Sequence, residues 1–96
     1  MSKVTVVAKL TVKQDAIDQV KPELLKLITP TRAEKGCLEY RLHQDNDNPA
    51  VFTFYENWES LACLDSHMNS NHFSSYVAAI GDLLEDKVVH QMTEIA

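Results

Sequence analysis

Cys37-Leu38-Glu39-Tyr40-Arg41-Leu42-His43-Gln44-Asp45-Asn46-Asp47-Asn48-Pro49-Ala50-Val51-Phe52-Thr53-Phe54-Tyr55-Glu56-Asn57-Trp58 is the stretch that decides the fold. Residues 37–44 and 50–58 read as strands, and the Asx and Pro residues between them are turn formers, so the pair predicts an antiparallel hairpin. Along the second strand Phe52, Phe54, Glu56 and Trp58 share one face, because side chains alternate across a pleated strand.

Upstream of the hairpin, residues 3–12 alternate, with Val4, Val6, Ala8, Leu10 and Val12 on one side, which predicts a first strand. From Gln14 the period changes. Ile17, Val20, Leu24, Leu27 and Ile28 recur at steps of three and four, the signature of an amphipathic helix. Pro22 falls inside this pattern and is expected to delay or kink the helix. Pro30 is expected to end it or begin a short new turn, and Gly36 suits a left-handed cap.

Downstream, residues 56–73 join the aromatic strand end to a segment with two closely spaced histidines. Ser60 predicts a helix cap, with Leu61, Leu64 and Met68 on the apolar side. Asn69-Ser70-Asn71 interrupts the pattern before Phe73, Tyr76, Val77 and Ile80 resume it. Residues 81–86 read as a further helical turn, and 87–95, with Val88, Val89, Met92 and Ile95, as a final strand.

The order β-α-β-β-α-β over a single domain, residues 1–96, predicts an α+β ferredoxin-like fold: a four-stranded antiparallel sheet with both helices on one face. Apolar residues occupy both strand phases, including Val7, Leu38, Val51 and Tyr55, so sheet-to-sheet homodimerisation is expected to bury the second face.

A chain of 96 residues leaves no room for a separate cofactor domain. Fourteen acids against nine scattered bases give a net charge of -5, which argues against a nucleic-acid partner. No apolar run approaches membrane-spanning length and the first residues show no secretion signal, so no membrane association and a cytoplasmic location are expected. Cys37 and Cys63 form no metal or disulfide pattern and read as reduced thiols. Dinucleotide, P-loop and zincin motifs are missing.

His67 and His72 are the candidate proton-transfer groups, because imidazole titrates near neutrality and can take a proton from a phenolic hydroxyl. Surface or capping roles are the alternative for each. Glu56, among aromatics, reads either as a desolvated acid with a raised pKa or as a carboxylate paired across the sheet. Trp58, Phe54 and Phe52 suit the wall of an aromatic-ligand pocket or plain core packing. Tyr40 and Tyr55 read as donors to a ligand carbonyl or as packing residues. His43 and His90 read as strand-surface residues. No metal is expected: on one continuous helix His67 and His72 would point about 140° apart, and no third ligand is evident.

Glu34-Lys35-Gly36-Cys37-Leu38-Glu39-Tyr40, Asn48-Pro49, Tyr55-Glu56-Asn57-Trp58-Glu59-Ser60, and then Leu64, His67, Ser70, His72 and Phe73 together resemble the antibiotic biosynthesis monooxygenase (ABM) domain family, which includes small quinol monooxygenases. The resemblance covers nearly the whole chain. It implies a dimeric α+β barrel with a ligand cavity in each subunit between sheet and helices. It does not imply one reaction, since such folds host several chemistries.

Haem-degrading relatives carry an Asn on the first strand, where this chain has Ala8 or a neighbouring aliphatic. The leading expectation is therefore cofactor-independent monooxygenation of a quinol-like or polycyclic phenol by molecular oxygen. In that reading His67 or His72 is the base, and Trp58 with Phe54 holds the ring. Alternatives are an isomerase of a small oxygenated metabolite, phosphorylated or not, favoured if Arg32 or Arg41 faces the cavity, and a non-catalytic dimeric ligand-binding protein.

Overall fold

The computed structural model describes residues 3–96. Four strands, β1 (Val4–Val12), β2 (Cys37–Gln44), β3 (Val51–Trp58) and β4 (Leu84–Met92), form one sheet in the order β2-β3-β1-β4. All three pairings are antiparallel. The helices are α1 (Ile17–Leu25), α2 (Ile28–Arg32), α3 (Leu61–Met68) and α4 (Asn71–Ile80), with single 3-10 turns before α1 and after α4. This is the ferredoxin-like α+β arrangement that the element order predicts.

Each expected helix is a broken pair. Pro22 sits within α1 and does not delay it, and Pro30 lies in the first turn of α2, where a missing N–H costs little. The last strand differs from expectation at its start. Leu84, Glu85 and Asp86 continue β4 instead of a helical turn, because β1 supplies a pairing edge as far as Val12↔Leu84. Ile95 lies beyond the strand and is exposed.

The core lies between the sheet and the helices. Leu10, Val12, Phe52 and Trp58 from the strands meet Val20, Leu24 and Leu27 from the first helical segment and Leu64 and Ile80 from the second. The opposite sheet face carries Val7, Tyr55, Val88 and Met92 in register with polar side chains. Tyr55, Val88 and Met92 are exposed there. Among the described residues no helix is long and apolar enough to cross a membrane.

Candidate active site

The turn between α2 and β2 sets the first component. Gly36 adopts φ +85, which an L side chain resists. A Cβ added there would fall on the Cys63 side chain, so the turn sits flush against α3. The Cys37 N–H donates to the Glu34 carbonyl at 3.2 Å and the Glu59 N–H to the Gly36 carbonyl at 2.9 Å. The Glu34 side chain is thereby held against the second helical segment.

Along α3 the buried positions are Leu64 and His67, three residues apart, whereas Leu61, expected on the apolar side, is exposed. Ser60 caps this helix and Ser70 the next, each hydroxyl accepting an N–H at 3.3 Å, from Cys63 and Phe73 respectively. The Ser70 hydroxyl also donates to the His67 carbonyl at 2.6 Å. The chain therefore restarts as α4 and returns His72 to the side of His67.

Both imidazoles meet one carboxylate oxygen. His67 Nδ1 lies 2.7 Å and His72 Nε2 2.6 Å from Glu34 Oε2. A carboxylate oxygen accepts, so the facing ring nitrogens donate, and His67 is left with Nε2 as its free acceptor. Among the described residues nothing hydrogen-bonds to Nε2. The ring is held on three sides, with Trp58 at 4.8 Å between centroids and with Phe73 at 5.1 Å and Tyr40 at 5.5 Å edge-on. Burial lowers the His67 pKa below its ordinary 6.5, against the hydrogen bond and charge of Glu34, and His72 adds to the lowering. The lowered pKa favours the neutral imidazole, oriented by Glu34, at physiological pH.

The helical-wheel argument against metal binding fails, because the histidines lie on two helices and Glu34 supplies a third ligand atom, all within 4.8 Å. As they stand, both N···O separations are hydrogen-bond distances. They are shorter than the about 3.4 Å between neighbouring ligands around a tetrahedral metal bound at about 2.1 Å.

Glu56 is the second titratable group of the site. Burial pushes its carboxyl up to about 7, against the lowering effect of a hydrogen bond from Trp58 Nε1 at 2.9 Å; the Glu34 charge raises it and Lys87 lowers it. Burial also raises the Tyr40 hydroxyl well above its usual range, and burial with the Glu56 charge raises Tyr76 to about 12. Both tyrosines keep their protons and remain donors.

A cavity of about 80 Å³ lies between the sheet and helices α3 and α4. Its walls are largely hydrocarbon and aromatic, from Ala8, Phe54, Leu64, Phe73 and Val89, with Tyr40, Glu56, His67, Tyr76 and Lys87 supplying polar groups. Of the residues singled out in the sequence, His67, Glu56, Tyr40 and Phe54 line it. Trp58 packs behind His67, and Phe52 is buried in the core away from the lining. Tyr55 is on the opposite sheet face, one residue out of phase with Phe54 and Glu56. His72 stands outside the lining and meets the site through Glu34 and through the His67 ring, 5.9 Å away between centroids.

Arg32 donates to the Tyr40 carbonyl at 3.0 Å and Arg41 pairs with Glu39 on the outer face, so neither enters the cavity. Glu34 and Lys87 were not recognised as site residues in the sequence. Glu34 stands in the Glu34-Lys35-Gly36 motif, but its partners lie 33 and 38 residues away. Cys37 is no candidate nucleophile: burial first, then the Glu34 and Glu56 charges, push its thiol up to about 11.

Comparison with known proteins connects this geometry to relatives. The family described as antibiotic biosynthesis monooxygenase matches residues 3–79. The Mycobacterium tuberculosis protein named Putative monooxygenase Rv0793 is 39% identical over 83 residues, 86% of this chain and 81% of that protein. Its solved structure superposes with a TM-score of 0.93, covering 99% of this chain and 97% of that one at 33% identity. The crystal structure of PA3566 from Pseudomonas aeruginosa matches with a TM-score of 0.95 at 32% identity, covering 100% and 97% of the two chains.

Proposed function

This chain belongs to the antibiotic biosynthesis monooxygenase family, and from that premise we propose that it is a cofactor-independent monooxygenase acting on a small quinol-like phenol with molecular oxygen. The observation that carries this reading is the Glu34–His67 pair, with the neutral imidazole oriented at the wall of an aromatic cavity.

In this mechanism His67 Nε2 takes the phenolic proton, and the imidazolium that forms is stabilised through Nδ1–H by Glu34, whose same Oε2 is also bonded by His72. The phenolate is electron-rich enough to pass electrons to oxygen in a site shielded from water. The balance closes without a reductant: a quinol plus O2 gives a hydroxyquinone plus water, the ring supplying all the electrons that oxygen accepts. Glu56, with its pKa near 7, can return a proton as the O–O bond breaks. Tyr40 and Tyr76 supply hydroxyl donors for the developing oxyanion.

Cavity size narrows the substrate. About 80 Å³ is less than the roughly 150 Å³ of an enclosed cavity that takes benzene. A single ring entering from the open side is favoured over a polycyclic phenol, and the aromatic walls favour a ring over an aliphatic metabolite. Homodimerisation through the outer sheet face, with Tyr55 and Val88 at the interface, is part of the same proposal.

The test is oxygen uptake by metal-free and flavin-free protein given single-ring quinols, corrected for autoxidation. The expected result is enzyme-dependent uptake that falls by about 10²–10⁴-fold in His67→Ala. Uptake equal to the blank across the panel overturns the proposal.

A further inference from the structure

Among the described residues Lys87 is the sole lysine or arginine lining the cavity, and the mechanism above makes no use of it. It sits on edge strand β4, paired with Leu10, so its side chain is on the helix-facing side of the sheet. Its Nζ lies 5.8 Å from the Phe73 ring centroid and 5.9 Å from that of Tyr76. Among the described residues no carboxylate lies within salt-bridge distance of it, although the chain carries 14 acids against nine bases. Ring faces alone attract an exposed ammonium only weakly, so its charge stays available to a third group.

The arrangement has two poles. One is the acceptor nitrogen of His67, backed by Glu34 beneath the aromatic wall. The other is an ammonium held over two rings on the β4 side, where the strand is largely exposed. Hydrocarbon and aromatic walls lie between them. A ligand matching this pattern has an apolar ring, an acidic hydroxyl at one end and a fixed negative charge at the other.

We infer that Lys87 is an anion anchor and that the substrate is a single-ring quinol bearing a carboxylate, its carboxylate at Lys87 and one of its two hydroxyls at His67. The inference rests on the proposed function for the role of the hydroxyl, but the anchor itself is a binding claim. Lys87 and Glu56 line the same cavity, and the Lys87 charge lowers the Glu56 pKa. Binding a carboxylate at Lys87 also offsets the repulsion a second negative charge would meet from Glu56.

The experiment is calorimetric titration of the full chain at pH 7 and low salt with benzoate and with its neutral isostere benzamide. Neither can be oxidised here, so binding is read apart from reaction. The expected result is benzoate binding at least about tenfold tighter than benzamide. That preference should fall to within about twofold in Lys87→Met, survive in Lys87→Arg, and persist in His67→Ala. Methionine keeps an apolar stem over Phe73 and Tyr76, and the site is on an exposed edge strand, so folding is not at stake. Equal binding of the two probes, no benzoate binding at millimolar concentration, or an undiminished preference in Lys87→Met overturns the anchor. Loss of oxygen chemistry with the benzoate preference intact would instead overturn only the reaction.

Discussion

Replacing Glu56 by glutamine isolates the electrostatic cost of the cavity. The amide oxygen can still accept from Trp58 Nε1, so the packing changes little while the titration disappears. The folded carboxyl has its pKa raised from 4.5 to about 7. Between those values the folded state binds the proton more tightly than the unfolded chain. The favourable contribution is therefore fully present below pH 4.5 and is lost as pH rises through about 7. At about 1.36 kcal/mol per pKa unit the shift corresponds to about 3 kcal/mol. His67 titrates in the opposite sense: its lowered pKa gives stability at high pH that is lost on acidification. The informative quantity is therefore the difference between wild type and Glu56→Gln, measured by urea unfolding from pH 5 to pH 8.5. The expected outcome is a variant that gains on the wild type as pH rises, by about 2.5 kcal/mol between pH 5 and pH 8.5, the rest of the effect lying below pH 5. Parallel stability curves, agreeing within about 0.5 kcal/mol at every pH, would refute the raised pKa and with it the proton-returning role of Glu56.

Glu34→Gln should lower turnover less than His67→Ala, because it leaves the base and removes its orienting charge; comparing kcat at saturating substrate for the two variants checks the order. Gly36→Ala should destabilise the fold by about 2 kcal/mol or more, since the added methyl meets Cys63 and the residue must hold φ +85; thermal unfolding reads this. Ser70→Ala should cost about 1 kcal/mol from the lost cap and should also reduce oxygen uptake, because α4 carries His72 to Glu34. Sedimentation equilibrium should give twice the 10.9 kDa chain mass, with Tyr55→Lys shifting the protein to monomer.

The sheet was legible because alternation is a local signal. Val6, Ala8, Leu10 and Val12 on β1, and Phe52, Phe54, Glu56 and Trp58 on β3, are buried on the phase the sequence indicates. The same alternation separates Tyr55 from the cavity, although its chemistry alone made it attractive as a ligand donor. The start of β4 was hidden because Glu85 and Asp86 are poor strand formers, and pairing with β1 overrides that preference. Lys87 lay within the strand read over 87–95, but the phase that turns it toward the cavity depends on its register with Leu10. The Glu34–His67–His72 contact could not be read from spacing, since it depends on a glycine turn and on a helix that ends and restarts at Ser70. His67 was reachable because it follows Leu64 at a helical step, whereas the carboxylate that orients it is distant in sequence.

The measurement that bears most directly on the account is mass analysis of the product formed under ¹⁸O2 by metal-free, flavin-free protein from a single-ring quinol. The account predicts one labelled oxygen in a hydroxyquinone and the second released as labelled water, with formation dependent on His67. Product without label, or labelled product at the same rate with His67→Ala, would contradict it.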